Sequence, residues 1–518
     1  MSLSKINPTN LSSWSDLEKQ FQAEYEDHIS SFFEESDRLE SFTINWKDFY
    51  LDFSKNRLSS SSLKLLVELC KETDLKSNIE KYFNGSIINE TENRPVLHTA
   101  LRSSEIKNPK LKKEINDTLE KIISISDEIN IGKKLGYTGK KITDVVNIGI
   151  GGSHLGPEMV TEALSYYNSG VNPHFVSNID PDFTSKLLEK LNPETTVFII
   201  VSKTFTTIET LENAKKIRRW FIEKANLESI KDHFIAVSNN TEAPKEFGVL
   251  PANVLSIPEW VGGRFSLWGS VGLIISIVIG SKNFKKFLRG AESMDIHFRN
   301  SPIEKNIPII LALVSIWYNN FFKCQTEVVI PYNQFLSKLP AYLQQASMES
   351  NGKSVDRNGD KINYETGSII WGSSGTNAQH AFFQLMHQGT KVIPSDFIAF
   401  KESLTGDKTQ HNILTSNFLA QTSALMMGKT SPDSNVHQNI DGNNPSNSLV
   451  INKLTPSNIG ALISMYENKI FTIGAILNIY SYDQWGVELG KSIARDISEG
   501  KQGNLDSSTI KMSEMLKK

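Results

Sequence analysis

An α/β fold is predicted, with two doubly wound parallel-sheet domains and additional helices. Its first support is a short apolar run, 144–150, that meets a glycine cluster and then a helical pattern from Pro157. The second is recurrence: 196–201 is followed by a Ser/Thr loop and a helical pattern over 209–220, and a third run, 233–238, stops at Asn239-Asn240. The third is another block of the same texture that starts near Thr326. Strands alternating with helices argue for a parallel sheet covered on both faces, because each crossover helix must bury its apolar stripe.

The elements follow in order. The chain has 518 residues, and a domain takes roughly 100–200, so two or three domains are expected. Residues 1–110 read as an N-terminal helical segment packing on the larger domain, with spaced apolar positions such as Leu63, Leu66, Val67 and Leu69. Residues 111–285 form the first, smaller domain and 286–495 the second, larger one. Between the two strand blocks lies a helical stretch, 265–323. The polar segment 428–447, rich in Asn, Ser and Pro, reads as a surface loop. An apolar helix follows, and 496–518 reads as a polar helical tail.

Composition narrows the function. There are 55 basic and 58 acidic side chains, a net charge of −3, without a basic stripe, so no nucleic-acid partner is expected. The most apolar stretch, 267–280, falls short of the roughly 20 residues of a membrane span, so it reads as a buried helix and no membrane partner is expected. Cys70 and Cys324 fit neither a disulfide framework nor a metal-ligand spacing and read as buried thiols. The N-terminus lacks the charged-then-apolar pattern of a signal peptide. A cytoplasmic location is the expectation.

Two loops carry the ligand argument. The run from Gly149 through Gly151, Gly152 and Ser153 to Gly156 follows a strand and opens a helix, where backbone N–H groups and the helix dipole hold anions. His154 stands where a dinucleotide fingerprint needs glycine, so a sugar or phosphate contact fits better; a tight structural turn is the alternative. In the second loop, Ser202, Lys203, Thr204, Thr206 and Thr207 place four hydroxyls and an ammonium in six residues between a strand and a helix N-terminus. A phosphate monoester, close to a dianion at pH 7, needs such donors; a Ser/Thr-rich helix cap is the competing account.

Four further segments carry proton chemistry or charge. Arg264 follows two glycines and can stabilise oxyanion charge, although Gly-Gly-Arg is also a common turn. Gln345 and Glu349 are four apart and share a helical face; the carboxylate can act as a general base or cap a solvated helix end. His380 opens an apolar helix, with His387 two turns on along the same face, and can exchange protons near neutral pH; a hydrogen-bonded core histidine is the commoner case. Gln484 and Lys491 are seven apart on one helical face, where a snorkelling lysine is the ordinary case.

Together these segments resemble the glucose-6-phosphate isomerase family. The runs LDFSKNR from Leu51, RPVLHTALR from Arg94, IGIGGSHLGP, SKTFTT, VGGRFSLW, QQASMESNGK, GTNAQHAFFQLMHQGTK and YDQWGVELGK occur in family order. The resemblance implies two sugar-isomerase (SIS) domains, a sugar-phosphate substrate, a step of glycolysis and gluconeogenesis, no cofactor, no metal, and a homodimer with active sites at its interface. It implies that Gly152, Ser153, Ser202, Lys203, Thr204 and Thr207 hold substrate, with Gln345 and Gln484 on the sugar. His380, helped by Lys491, would open the ring; Glu349 would move the proton between C2 and C1 through a cis-enediol(ate), stabilised by Arg264. Two departures stand out: Ala378 replaces the usual glycine, a strain only if φ there is positive, and Ser373-Ser374 replaces Glu-Pro. The rival readings are a non-catalytic sugar-phosphate sensor, which could dispense with Glu349, His380 and Lys491, and an isomerase for another sugar phosphate.

Overall fold

A hairpin is the first departure from the sequence reading. Strands β1 (Thr43–Trp46) and β2 (Phe49–Asp52) pair antiparallel within the segment expected to be helical. Ile44, Phe49 and Leu51 are buried while Asn45 and Tyr50 are exposed, the period-2 alternation of a half-buried strand. Lys47 makes the turn in the left-handed region, φ 50°. The computed structural model describes residues 2–431, 435–501, 503 and 505–516; residues 432–434 of the expected polar loop and 502, 504, 517 and 518 of the expected tail lie outside it.

Two compact units divide the chain, Met1–Ser481 and Tyr482–Lys518. The first contains two sheets. One is built from β3 (Asp144–Ile148), β4 (Asn172–Val176), β5 (Thr196–Val201), β6 (Phe234–Val237) and β7 (Val254–Leu255), all parallel, in the order β4-β3-β5-β6-β7. Every residue of β5 and β6 is buried, as expected of parallel strands covered on both faces. Ile148, Phe198, Ile200, Phe221 and Phe234 lie in the core of this half.

The other sheet comprises β8 (Thr326–Pro331), β9 (Ile369–Gly372), β10 (Ser395–Glu402) and β11 (Ser446–Lys453), in the order β1-β2-β11-β10-β8-β9. Its last four strands are parallel, and the hairpin completes it antiparallel, Leu51 opposite Leu449. Doubly wound α/β architecture is therefore present twice. The stretch 267–279 is buried, but only Leu273–Ile279 is α-helix, preceded by a 3-10 turn at Ser270–Gly272. Among the described residues no helix is long and apolar enough to cross a membrane.

The second unit has a 3-10 turn, Trp485–Val487, and helices Glu488–Ser498 and Ser507–Leu516. Gln484 precedes the turn with φ −153°. It is therefore extended, which corrects the expectation that Gln484 and Lys491 share one helical face. A second correction concerns His380: it closes a short helix, Gly375–Gln379, and a new helix, Phe383–Gln388, carries His387. The two histidines do not share a helix.

Candidate active site

In the first sheet β3 and β5 run parallel, but the connections that follow them leave toward opposite edges. The loops after these two neighbouring strands flank a crevice at the carboxyl end of the sheet, where doubly wound folds bind ligands. One is the glycine loop, the other the Ser202–Thr207 loop.

The glycine loop serves as a close-packed floor. Gly151 takes φ +60°, and a Cβ there would stand 3.1 Å from Gln345 Nε2. A Cβ on Gly152 would lie 2.2 Å from the Gly263 carbonyl, so only glycine lets the arginine loop pack on this backbone. Ser153 follows at the end of the same 3-10 turn, its carbonyl accepting from Asn147 Nδ2 at 2.9 Å.

Arg264 is buried at 4% exposure and its guanidinium donates in three directions. Nε donates to Ser350 Oγ at 2.7 Å, Nη2 to the Ser481 carbonyl at 2.7 Å, and Nη1 to Glu349 Oε2 at 3.2 Å. Gln345 Nε2 also donates to Glu349 Oε2, at 3.2 Å. The i,i+4 relation expected for Gln345 and Glu349 is thus realised, in a π-helical segment, Gln344–Glu349. Such wide turns recur at functional sites because they reorient one side chain relative to its helix. Ser350 and Ser481 were not singled out from the sequence. Ser350 lies inside the QQASMESNGK run, whereas the Ser481 carbonyl has no side-chain signature.

The hydroxyl loop leads into a helix that its last residue does not cap. Thr207 is the N-cap of helix Ile208–Lys224, yet its side chain makes no capping bond. Its hydroxyl pairs with Ser202 Oγ at 3.1 Å, and Thr204 pairs with Thr206 at 2.6 Å. The competing account, a Ser/Thr-rich cap, needs a hydroxyl spent on the helix N–H groups; that bond is absent at Thr207. Phe205 is held at φ 57° with its ring buried in the core, a conformation that costs on the order of 1–3 kcal/mol for a residue with a side chain. Lys203 Nζ donates to the carbonyls of Glu259 and Val261 at 3.2 and 3.3 Å, which ties it to the start of the arginine loop. Burial holds its ammonium below the usual lysine value, with Glu259 pulling the other way.

Gly152, Ser153, Arg264, Gln345 and Glu349 are therefore assembled around one crevice, with Ser202, Lys203, Thr204 and Thr207 on its second loop. His380 is not part of that hydrogen-bonded cluster: its imidazole is exposed, and only its backbone N–H makes a hydrogen bond among the described residues. Ala378, buried inside its helix, is not at positive φ, so the replaced glycine brings no strain. In place of Glu-Pro, Ser374 donates to Gln334 Oε1 at 3.2 Å. Gln484 and Lys491 belong to the second unit, where Lys491 Nζ pairs with Glu488 at 2.8 Å on the surface.

A family model described as phosphoglucose isomerase matches residues 52–513. Glucose-6-phosphate isomerases of Christiangramia forsetii and Blochmanniella floridana are each 50% identical, over 98% of this chain and 99% and 98% of theirs. The crystal structure of a glucose-6-phosphate isomerase from Chlamydia trachomatis superposes with a TM-score of 0.90 at 30% identity, covering 99% of this chain and 100% of that one.

Proposed function

The chain belongs to the phosphoglucose isomerase family, and we propose that it catalyses the reversible interconversion of glucose 6-phosphate and fructose 6-phosphate. The observation that carries this reading is the Glu349 carboxylate held by Arg264 and Gln345, which themselves pack on the glycine loop, together with a hydroxyl loop whose last residue leaves its helix uncapped. A terminal phosphate would take the donors of Ser153, Ser202, Lys203, Thr204 and Thr207, placing the sugar's C1 and C2 toward Glu349. The carboxylate then removes the C2 proton and returns it to C1. Negative charge on the enediolate oxygens falls to the Arg264 guanidinium, which is already desolvated and fixed, so little reorganisation is needed as charge develops.

Ring opening needs a second proton carrier, and His380 is assigned to it from the family resemblance, with Lys491 assisting and Gln484 orienting the sugar. The exposed imidazole on a helix end supports a homodimer in which His380 serves the partner's site. The test has two arms. Glu349→Gln keeps shape but not basicity and should lower kcat by roughly 10²–10⁴, while wild type exchanges the C2 proton with solvent. Full retention of C2 deuterium over many turnovers would overturn the proton-transfer mechanism.

Assembly has its own test. Glu349→Gln and His380→Ala homodimers should each be nearly inactive. Unfolded and refolded together in equal amounts, half the dimers are mixed and one of their two sites is intact, so activity should recover to about a quarter of wild type. Proven heterodimers without recovery would mean that each site is built within one chain.

A further inference from the structure

Beneath the arginine loop lies a buried network that the site as described does not use. The run RPVLHTALR supplies two of its members through a 3-10 helix, His98–Arg102. Arg102 Nε and Nη2 donate to the two oxygens of Asp295 at 2.7 and 2.8 Å, and Nη1 donates to Glu467 Oε2 at 2.5 Å. Glu467 Oε1 in turn accepts from Trp268 Nε1 at 2.9 Å, and the Arg102 guanidinium lies 4.3 Å from the Trp268 ring centre. The His98 ring stacks on Phe265, centroids 4.7 Å apart and planes 18° apart, with its Nε2 at 2.8 Å from the Tyr82 hydroxyl. One residue earlier, Leu97 N–H donates to the Trp260 carbonyl at 3.1 Å.

The loop Val261–Ser266 is thus gripped at Trp260, Phe265 and Trp268, on both sides of Arg264. A fully desolvated ion pair adds little net stability, so stability alone is a weak reason to bury Arg102, Asp295 and Glu467 here. Geometry is the stronger one: an oxyanion donor must be held within a fraction of an ångström to act. Phe265 is the direct neighbour of Arg264, so a shift of the ring against His98 moves the backbone that carries the guanidinium.

We propose that His98, locked by Tyr82 and by the Arg102–Glu467 network, is a positioning residue that holds Arg264 in place for stabilising the enediolate. The inference rests on the reading of Arg264 as that stabiliser, and the experiment separates the two. His98→Phe keeps the stack on Phe265 but loses the bond to Tyr82; Tyr82→Phe removes the same bond from the other side and carries the test if His98→Phe does not fold. Because a 1 Å misplacement can cost about 10² in rate, a smaller shift should lower kcat per folded enzyme about tenfold for His98→Phe and about threefold for Tyr82→Phe, with KM nearly unchanged. In an Arg264→Lys background both changes should be nearly silent, since the group they position is gone. If they slow that variant by the same factor as wild type, or leave wild-type kcat unchanged, the positioning role is overturned. If instead Arg264→Lys itself keeps full kcat, the failure lies with the role of Arg264.

Discussion

The two halves of the first unit share one topology and differ in what they leave open. In the first, the strand order reverses between β3 and β5; in the second, it reverses between β8 and β10. Each therefore has a loop leading from a switch-point strand into a helix. After β5 the loop ends at Thr207, whose side chain does not cap its helix. After β10 the loop, Ser403 to Asp407, ends at Asp407, whose carboxylate accepts from Gln410 N–H at 3.1 Å. Leu404 stands second in that loop where Lys203 stands in the other. The neighbouring cavity of about 230 Å³ is lined by Tyr166, Tyr332, Phe335 and Leu414 among others. A helix N-terminus attracts one anion. The second half supplies it from its own chain, through Asp407; the first does not, and on this difference rests the proposal that the first loop takes the substrate phosphate.

The most damaging way to break the difference is to give the first crevice the cap of the second. Thr207→Asp installs a helix cap as good as or better than threonine, so folding should be unharmed. The carboxylate would then face the incoming phosphate, and like charges at close quarters cost several kcal/mol. A fall in kcat/KM of at least about 10²-fold, mostly through KM, is expected from steady-state kinetics. Near-normal KM would mean that phosphate is held elsewhere.

Legibility in the sequence divides along the same line. Donors that are contiguous were readable: the hydroxyl loop, the glycines before Arg264, and the Gln345–Glu349 spacing all declare themselves within a few residues. The hairpin at 43–52 was not, because its alternation is four residues long on each side and its stability comes from pairing with β11, some 400 positions away. The breaks at His380 and Gln484 are not legible, because no local residue marks the turn that interrupts the apparent periodicity. Most hidden is the network under Arg264: Arg102 and Glu467 are 365 positions apart, and only folding places them together.

A milder contrast concerns acid. Each half buries a histidine in the same tautomer, Nε2 accepting a backbone N–H: His233 from Tyr137 at 2.9 Å, and His297 from Ile307 at 3.2 Å. Burial lowers both, and Lys47 lowers His297 further, to about 4. A depressed histidine value means that the unfolded chain binds the proton first, so stability is present above the unfolded value of about 6.5 and falls as pH drops toward 4. His297 alone should account for about 2 kcal/mol of loss between pH 7 and 5. Urea unfolding at the two pH values should show that loss shrinking in His297→Gln, and shrinking less in His233→Gln. Equal or no change in the two variants would remove this asymmetry between the halves.

The smallest effect is also the sharpest test of what an open cap is worth. Asp407→Thr gives the second loop the residue that ends the first one. If the threonine leaves its helix uncapped as Thr207 does, the cap bond to Gln410 is lost at a cost of about 1 kcal/mol, visible as a slight fall in the unfolding midpoint. Activity should stay within about twofold of wild type, since substitutions away from a site seldom act on it. More to the point, millimolar inorganic phosphate should not protect the variant from unfolding more than it protects wild type, because Leu404 offers no ammonium where Lys203 does. An added stabilisation by phosphate that depends on Asp407→Thr would show that the helix terminus alone suffices, and that Lys203 is not what separates the two crevices. Silence on that measurement, together with a large loss in Thr207→Asp, leaves the cap and the lysine as joint requirements, each insufficient without the other.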